Sequence, residues 1–386
     1  MSPFVCNYPW THFEVNNPNG DVTMCCDNSS VLGNINEHTV EEIWNNKSFQ
    51  KARKQMRDGG ALSMCPATCP VIHGFKTHQN LDWYREMSEG AAKSNAILNE
   101  KEFETGACVL KSRPRWMRYT YSYKCNLDCY HCYQREDATE NVKLPDSFMQ
   151  QVYELSPYYQ VLFFFGGEPF LYKPVTEMIE NIKVDPEGRL FLISNGTLLT
   201  EKTFAALEKK NIGMFAVSLD AADKTTFDNL RVRGRTASWD SVMDNLGRIA
   251  ELHKRKPFFF EISMTVNSRN YDQIKAFVDM GVALGAEPLL LLVSNPFQTS
   301  AFQREFLHFS EAQFTEMKAQ IVQSLETVRA AGFHDAEAAL SRLSLMLEGH
   351  RRGENNVVLY RCKTIGRKVF RLLPKALQLA LRKIIN

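Results

Sequence analysis

Trp116-Met-Arg-Tyr-Thr-Tyr-Ser-Tyr123 reads as a strand, and two residues later comes Cys125-Asn-Leu-Asp-Cys129-Tyr-His-Cys132. The next strand-like run, Gln160 to Phe165, ends directly in Gly166-Gly167-Glu168-Pro169. Four more runs follow at Arg189 to Ile193, Gly213 to Leu219, Phe258 to Val266 and Pro288 to Val293. Helical periodicity separates them. Val175, Met178, Ile179 and Ile182 share one face, as do Trp239, Val242, Met243, Leu246 and Ile249, and then Ile274, Phe277 and Val278. Strands alternating with amphipathic helices make βα units around a parallel sheet. Six such units predict an α/β fold with a partial (β/α)6 barrel of the TIM type. In parallel barrels the chemistry sits on loops at the C-terminal ends of the strands, where the cysteines and glycines fall.

Upstream, residues 1–98 read as a small loop-rich unit with its linker, carrying five cysteines. One helix stands out in it. Thr39 and Glu42 form a capping box, Val40, Ile43, Trp44, Ala52 and Met56 supply an apolar stripe, and Gly59-Gly60 stops it. A mixed polar connector, helical in part, runs from about Thr77 to Arg113 and leads into the barrel at 112–300. Residues 301–360 form a helical extension without strands, with Phe314, Met317, Ile321, Leu325 and Val328 in helical register. The last segment, 361–386, holds eight Lys or Arg and no acidic residue among regularly spaced apolar side chains, and Pro374 kinks it.

The 386 residues are 44% hydrophobic, with 46 Lys and Arg against 44 Asp and Glu, which excludes a disordered or fibrous protein. No apolar stretch approaches the ~20 residues of a bilayer span, and no secretory signal is visible. The net charge of +2 gives no reason to expect a specific nucleic-acid partner. Eight of the ten cysteines fall into two groups, and in a long chain expected to be cytoplasmic they read as reduced, metal-binding thiolates.

Cys125, Cys129 and Cys132 are spaced so that one short loop wraps a metal centre. A [4Fe-4S] cluster normally takes a cysteine at each iron, so three cysteines leave one iron open to a cofactor or substrate. A zinc site completed by His131 or a distant residue is the competing reading. Gly166 and Gly167 allow a ligand close to the backbone, and the carboxylate of Glu168 beside them suits an ammonium group. Alone, Gly-Gly-Glu-Pro is also an ordinary turn with Pro169 opening a helix.

Together the two motifs resemble those of the radical S-adenosylmethionine (SAM) superfamily, over about residues 112–300. The resemblance implies that Cys125, Cys129 and Cys132 hold a [4Fe-4S] cluster whose open iron binds SAM, with Gly166, Gly167, Glu168 and Pro169 at its methionine end. The superfamily often has an aromatic residue before the third cysteine, where this chain has His131 beside Tyr130; both are candidates for the adenine contact. Asn195, Ser218 and Asp220, at the ends of later strands, are candidates for the ribose or carboxylate of SAM, as is an arginine, Arg231 first, with Arg233 and Arg235 as alternatives. Asn195 also reads as a turn residue and Asp220 as a helix cap.

The first cysteine group resembles a SPASM or twitch domain, on Cys6, Gly20, Cys25, the Leu32 to Asn45 stretch, Cys65 and Cys69. The likeness implies one auxiliary [4Fe-4S] cluster on Cys6, Cys25, Cys65 and Cys69, with Cys26 as the alternative to Cys25. Such modules commonly follow the barrel, and here it precedes it; a structural zinc knuckle is the plainer reading. Cys108 and Cys362 stand apart. The default for each is simple burial, and the sharper reading is a hydrogen-atom donor or an added ligand.

The function implied is reductive cleavage of SAM to a 5′-deoxyadenosyl radical that removes hydrogen from a substrate C–H bond. The auxiliary cluster would serve oxidation, crosslinking or substrate anchoring. A flavodoxin or ferredoxin is the expected electron donor. The substrate is a small molecule, such as a sugar or lipid-linked sugar, or a peptide. The basic C-terminal segment raises peripheral contact with the inner membrane surface, or else packs as a helix with a solvated face. A non-catalytic iron-sulfur or zinc protein and a SAM-dependent methyltransferase are the alternatives. An exposed cluster makes the protein oxygen-sensitive.

Overall fold

The computed structural model describes residues 6–25, 30–59, 65, 69, 81–132, 134, 142–182, 187–232, 237–293 and 305–352. Its strands are β1 His12–Val15, β2 Asp21–Thr23, β3 Gly33–Asn34, β4 Trp116–Thr120, β5 Val161–Phe165, β6 Arg189–Ser194, β7 Ile212–Ser218, β8 Phe259–Val266 and β9 Glu287–Leu292. They form one sheet in the order β3-β2-β1-β4-β5-β6-β7-β8-β9. All six expected βα strands are there, β4 through β9, and every neighbouring pair among them is parallel. The barrel is partial and not closed.

Alternation along the strands sets two faces. On β8, Phe260, Ile262, Met264 and Val266 are buried, and Phe259, Glu261, Ser263 and Thr265 between them are half-buried on the concave face. Helices cover the other face. Val242, Leu246 and Ile249 are buried on Trp239–Arg255, and Ile274, Phe277 and Val278 on Ile274–Leu284, as their periodicity predicts. In the helical extension, Glu311–Ala331 packs on Ile274–Leu284 and His334–Arg351 packs against β9. The first barrel strand ends at Thr120, short of Tyr123. Beyond it the Tyr121 carbonyl accepts from Leu144 N–H at 3.0 Å and Ser122 pairs with Lys143 in an isolated antiparallel bridge, which pulls the chain off the β5 register.

The N-terminal unit is not set apart from the barrel. β1 lies parallel to β4, with His12 beside Trp116 and Val15 beside Tyr119, so the sheet runs through both units. The connector fastens the join. Its helix Ala91–Glu104 places Asn99 to donate to the Trp10 carbonyl at 2.6 Å, and buried Arg115 donates to Gln160, Glu100 and the Leu81 carbonyl. The capped helix is two helices, Val40–Trp44 and Lys47–Arg57. Thr39 and Glu42 form the capping box, but Asn46 takes an extended conformation and its side chain caps the second helix by accepting from Phe49 N–H. A helix break at two consecutive asparagines is what their competing side-chain hydrogen bonds favour.

Candidate active site

The cysteine loop leaves β4 and is zipped along its backbone to a π-helical turn at Asp228–Val232. Asp128 N–H donates to the Arg231 carbonyl at 3.0 Å and Tyr130 N–H to the Leu230 carbonyl at 2.8 Å. The Sγ of Cys125 accepts from Leu127 N–H and, at 3.5 Å, from Asn195 Nδ2. The same Asn195 amide donates to Asn126 Oδ1, and Asn126 donates to Thr197 Oγ1. These bonds fix one wall of a cavity of about 360 Å³ lined by all three thiol residues.

Gly166, Gly167, Asn195, Ser218 and Arg231 line the same cavity, over an apolar patch of Phe165 and Ile193. Both glycines have positive φ, 88° and 51°. Space is the second reason for glycine: a Cβ on Gly166 would stand 2.3 Å from Thr120 Cγ2, and one on Gly167 2.3 Å from the Lys124 carbonyl.

Other candidates stand behind this wall. Glu168 is fully buried, and its carboxylate accepts from Phe170 N–H, Ser194 Oγ and Asn195 N–H, at 3.1, 2.9 and 2.7 Å. It staples the β5 turn to the β6 turn. Burial raises its pKa, against the pull of these donors and of Arg231. Asp220, with φ of 58°, accepts from Arg231 Nη1 at 2.9 Å and Thr265 N–H at 2.6 Å, and lies 3.4 Å from His131 Nε2. Burial opposes its ionisation, but Arg231, His131 and the amide outweigh that and hold the carboxyl well below the usual range. His131 thus faces Asp220. Tyr130 packs against Phe306 and under the Arg269 guanidinium, 4.0 Å from its ring. Pro169 opens a buried 3-10 turn.

At the other end of the sheet, Cys6, Cys25 and Cys69 are buried and Cys65 is half-buried. Burial pushes the Cys6 thiol up to about 12, and the neighbouring Cys65 and Cys69 act in the same direction. β2 runs antiparallel to β1 with Thr23 opposite Glu14, so two residues further Cys25 draws level with His12, at the base of the barrel. Cys108 lies beside Arg57, its Sγ 3.7 Å from Nη1, and does not line the cavity. Cys26, Cys362, Arg233 and Arg235 lie outside the described residues, as does 361–386.

The sequence reading missed Asn126 and Gln134, although the first lies inside the cysteine motif and the second two residues after it. Gln134 accepts from Gly167 N–H at 3.0 Å, tying the two motifs together. It also missed the ion pair of Glu14 and Arg118, 2.9 Å apart, whose arginine lies 4.4 Å over the Phe165 ring. Glu14 comes from the N-terminal unit, and only the β1–β4 pairing brings it there.

Comparison with known proteins agrees with this layout. The radical SAM superfamily model matches residues 119–281, and the model of an iron-sulfur cluster-binding domain, SPASM, matches residues 6–70. The chain thus carries a radical SAM domain, preceded by a SPASM-type domain. It is 28% identical over 185 residues to an AdoMet-dependent heme synthase of Methanosarcina barkeri, covering 46% of this chain and 50% of that one. Identity is 27% over 204 residues to an S-adenosylmethionine-dependent nucleotide dehydratase of Siniperca chuatsi, covering 49% and 50%. It is 29% over 177 residues to a probable GTP 3′,8-cyclase of Methanococcus maripaludis, covering 45% and 56%. The chain therefore spans about half the length of these curated relatives. Among solved structures, Streptococcus suis SuiB aligns over 74% of this chain and 61% of its own, at 15% identity and a TM-score of 0.42.

The cofactors of these two domains are a [4Fe-4S] cluster with SAM and auxiliary iron-sulfur binding. The donor set fits the first. Burial pushes the Cys129 thiol up to about 12 and raises that of Cys125, so neither ionises readily until a cation takes the thiolate. Arg231 supplies fixed positive charge beside all three sulfurs, and its Nε is buried and finds no hydrogen-bond partner among the described residues. The cavity falls within the size range of small-molecule sites, about 300–1,000 Å³.

Proposed function

We propose that this protein is a radical SAM enzyme that abstracts a hydrogen atom from a substrate C–H bond and uses an auxiliary cluster in the same turnover. With cluster and SAM bound, the upper site supplies reductive cleavage of the sulfonium and a 5′-deoxyadenosyl radical. Cys125, Cys129 and Cys132 hold the metal. The backbone of Gly166 and Gly167 receives the methionine end, Ser218 offers a hydroxyl to the nucleoside, Asn195 holds Cys125, Asn126 and Thr197 in place beside it, and Arg231 Nε remains to meet an anionic oxygen. Glu168 and Asp220 act as positioning residues, because their oxygens are already engaged in joining neighbouring loops. Phe165 and Ile193 keep water from the reacting carbon.

The observation that carries this reading is the convergence of three thiols, two left-handed glycines, an asparagine amide and a buried arginine on one cavity. The test is anaerobic reconstitution with iron and sulfide, reduction, and product analysis after adding SAM. 5′-Deoxyadenosine supports the proposal. S-Adenosylhomocysteine in its place would mean methyl transfer, and neither product would mean a non-catalytic iron-sulfur protein. A flavodoxin or ferredoxin is the proposed donor, and a small molecule or peptide the proposed substrate. The basic segment 361–386 is proposed as a peripheral membrane contact; unchanged binding to anionic vesicles after its deletion would refute that.

A further inference from the structure

On the concave side of the sheet a line of aromatic rings runs from the first cysteine group to the cavity that the second group lines. At the lower end, Tyr8 N–H donates to the sulfur of Cys6. The Tyr8 ring stacks on His12 at 4.0 Å with planes 20° apart, and His12 stacks on Trp116 at 4.9 Å with planes 18° apart. Thr11 Oγ1, 2.7 Å from His12 Nδ1, sets the tilt of the imidazole. Trp116 meets the edge of Phe163, Phe163 that of Phe165, and Phe165 lines the cavity.

Two features distinguish this line from ordinary core packing. The in-register pairing of His12 with Trp116 across the β1–β4 join puts two π-systems from different domains face to face, where apolar packing alone would accept aliphatic side chains. The stack also begins at a residue bonded to a cysteine of one group and ends at a residue lining the cavity of the other. The strand it parallels, five residues long, covers about 17 Å. Electron tunnelling falls off less steeply through contiguous π-contacts than through saturated packing.

We propose that Tyr8, His12 and Trp116 conduct single electrons between the barrel cavity and an auxiliary cluster bound at Cys6, Cys25, Cys65 and Cys69. The proposal rests on the functional reading above, which places a cluster there. In each event one electron leaves a donor at the cavity, either a substrate carbon radical or the reduced upper cluster, and reduces the oxidised auxiliary cluster by one. No bond forms or breaks in the rings and no proton travels along them; the proton shed by an oxidised carbon radical passes to water at the cavity mouth.

The experiment uses the full chain, reconstituted anaerobically with both clusters and reduced by a flash of photoreduced deazaflavin. Freeze-quenched samples are read by electron paramagnetic resonance, which separates the two cluster signals, and no substrate is needed. We expect Trp116→Leu and His12→Leu to slow equilibration between the signals several-fold, and Trp116→Phe to slow it less because it keeps ring and volume. Iron content, both midpoint potentials and circular dichroism should stay at wild-type values. Wild-type equilibration in Trp116→Phe and in either leucine variant, with both signals intact, overturns the conduit and leaves the proposed function standing. A wild-type protein with only one cluster signal overturns the auxiliary-cluster reading, and the conduit with it.

Discussion

The two cysteine groups are built in opposite ways. Cys125, Cys129 and Cys132 lie within one loop, whose shape is imposed by backbone bonds to a π-helical turn and by one asparagine amide. Cys6, Cys25, Cys65 and Cys69 are drawn from along 6–69, and Cys25 is placed by the β1–β2 pairing. A loop held by local bonds keeps its ligands when distant parts of the chain change. A site assembled from strands and distant segments depends on each of them. The upper group also opens on a cavity, whereas the lower lies under the barrel floor.

The sharpest way to break this contrast is to remove one group and measure the other. Replacing Cys125, Cys129 and Cys132 by Ala should abolish 5′-deoxyadenosine formation and remove the roughly four irons of one cluster, leaving the lower cluster's spectrum in place. Replacing Cys6 and Cys69 should remove the lower cluster yet leave SAM cleavage measurable in the absence of substrate. If both sets abolished cleavage equally, the sites would not be independent.

Next in size is the support under the upper loop. Arg231 and Asp220 are both buried, so Arg231→Ala leaves a carboxylate without its partner inside the protein, at a cost of about 3–5 kcal/mol. The same change should weaken SAM binding, since it removes the guanidinium Nε proposed to meet an anionic oxygen while leaving the backbone bonds to the cysteine loop in place. Thermal unfolding and equilibrium binding report the two effects separately. An unfolding midpoint equal to wild type would show that the pair is not structural.

This division also explains what was legible in the sequence. The barrel strands were legible because each is an apolar run bounded by loops, and the upper site because its ligands are neighbours in sequence. What was hidden depends on register. Nothing in His12-Phe-Glu-Val15 announces that it pairs with β4, yet that pairing makes one sheet of two units and puts Glu14 against Arg118. The roles of Glu168 and Asp220 were hidden for a related reason: a carboxylate at a strand end looks the same whether it faces a ligand or a neighbouring loop. Only the packed structure shows Glu168 bonded to Ser194 and Asn195, and Asp220 to Arg231 and Thr265.

The far wall of the barrel gives a pH-dependent test of the lower end. Burial raises the Glu261 pKa to about 7, with Asp335 and Glu287 adding to the rise. His334 also faces this group through Glu287. For an acid with a raised folded pKa, the unfolded chain releases its proton first. Stability therefore falls as pH rises from about 4.5 towards 7, and the loss persists above that. Glu261→Gln removes the penalty and should be more stable than wild type by on the order of 2 kcal/mol at pH 8, with little difference at pH 4. Urea unfolding at the two pH values checks it, and equal gains at both would assign the effect to packing.

The smallest effect concerns the break between the two N-terminal helices. Asn46 Oδ1 accepts from Phe49 N–H at 2.9 Å, while its Nδ2 donates to the Leu32 carbonyl at 2.7 Å. One side chain thus caps a helix and fastens the stretch just before β3. Asn46→Ala should cost about 1–2 kcal/mol, whereas Asn46→Asp keeps the cap and loses only the bond to Leu32. Because the lower cysteine group is assembled from distant segments, Asn46→Ala should also lower iron retention there during dialysis against a chelator. The upper cluster should keep its iron. Equal loss from both sites would mean that the long sheet shared by the two units couples them more strongly than their separate construction implies.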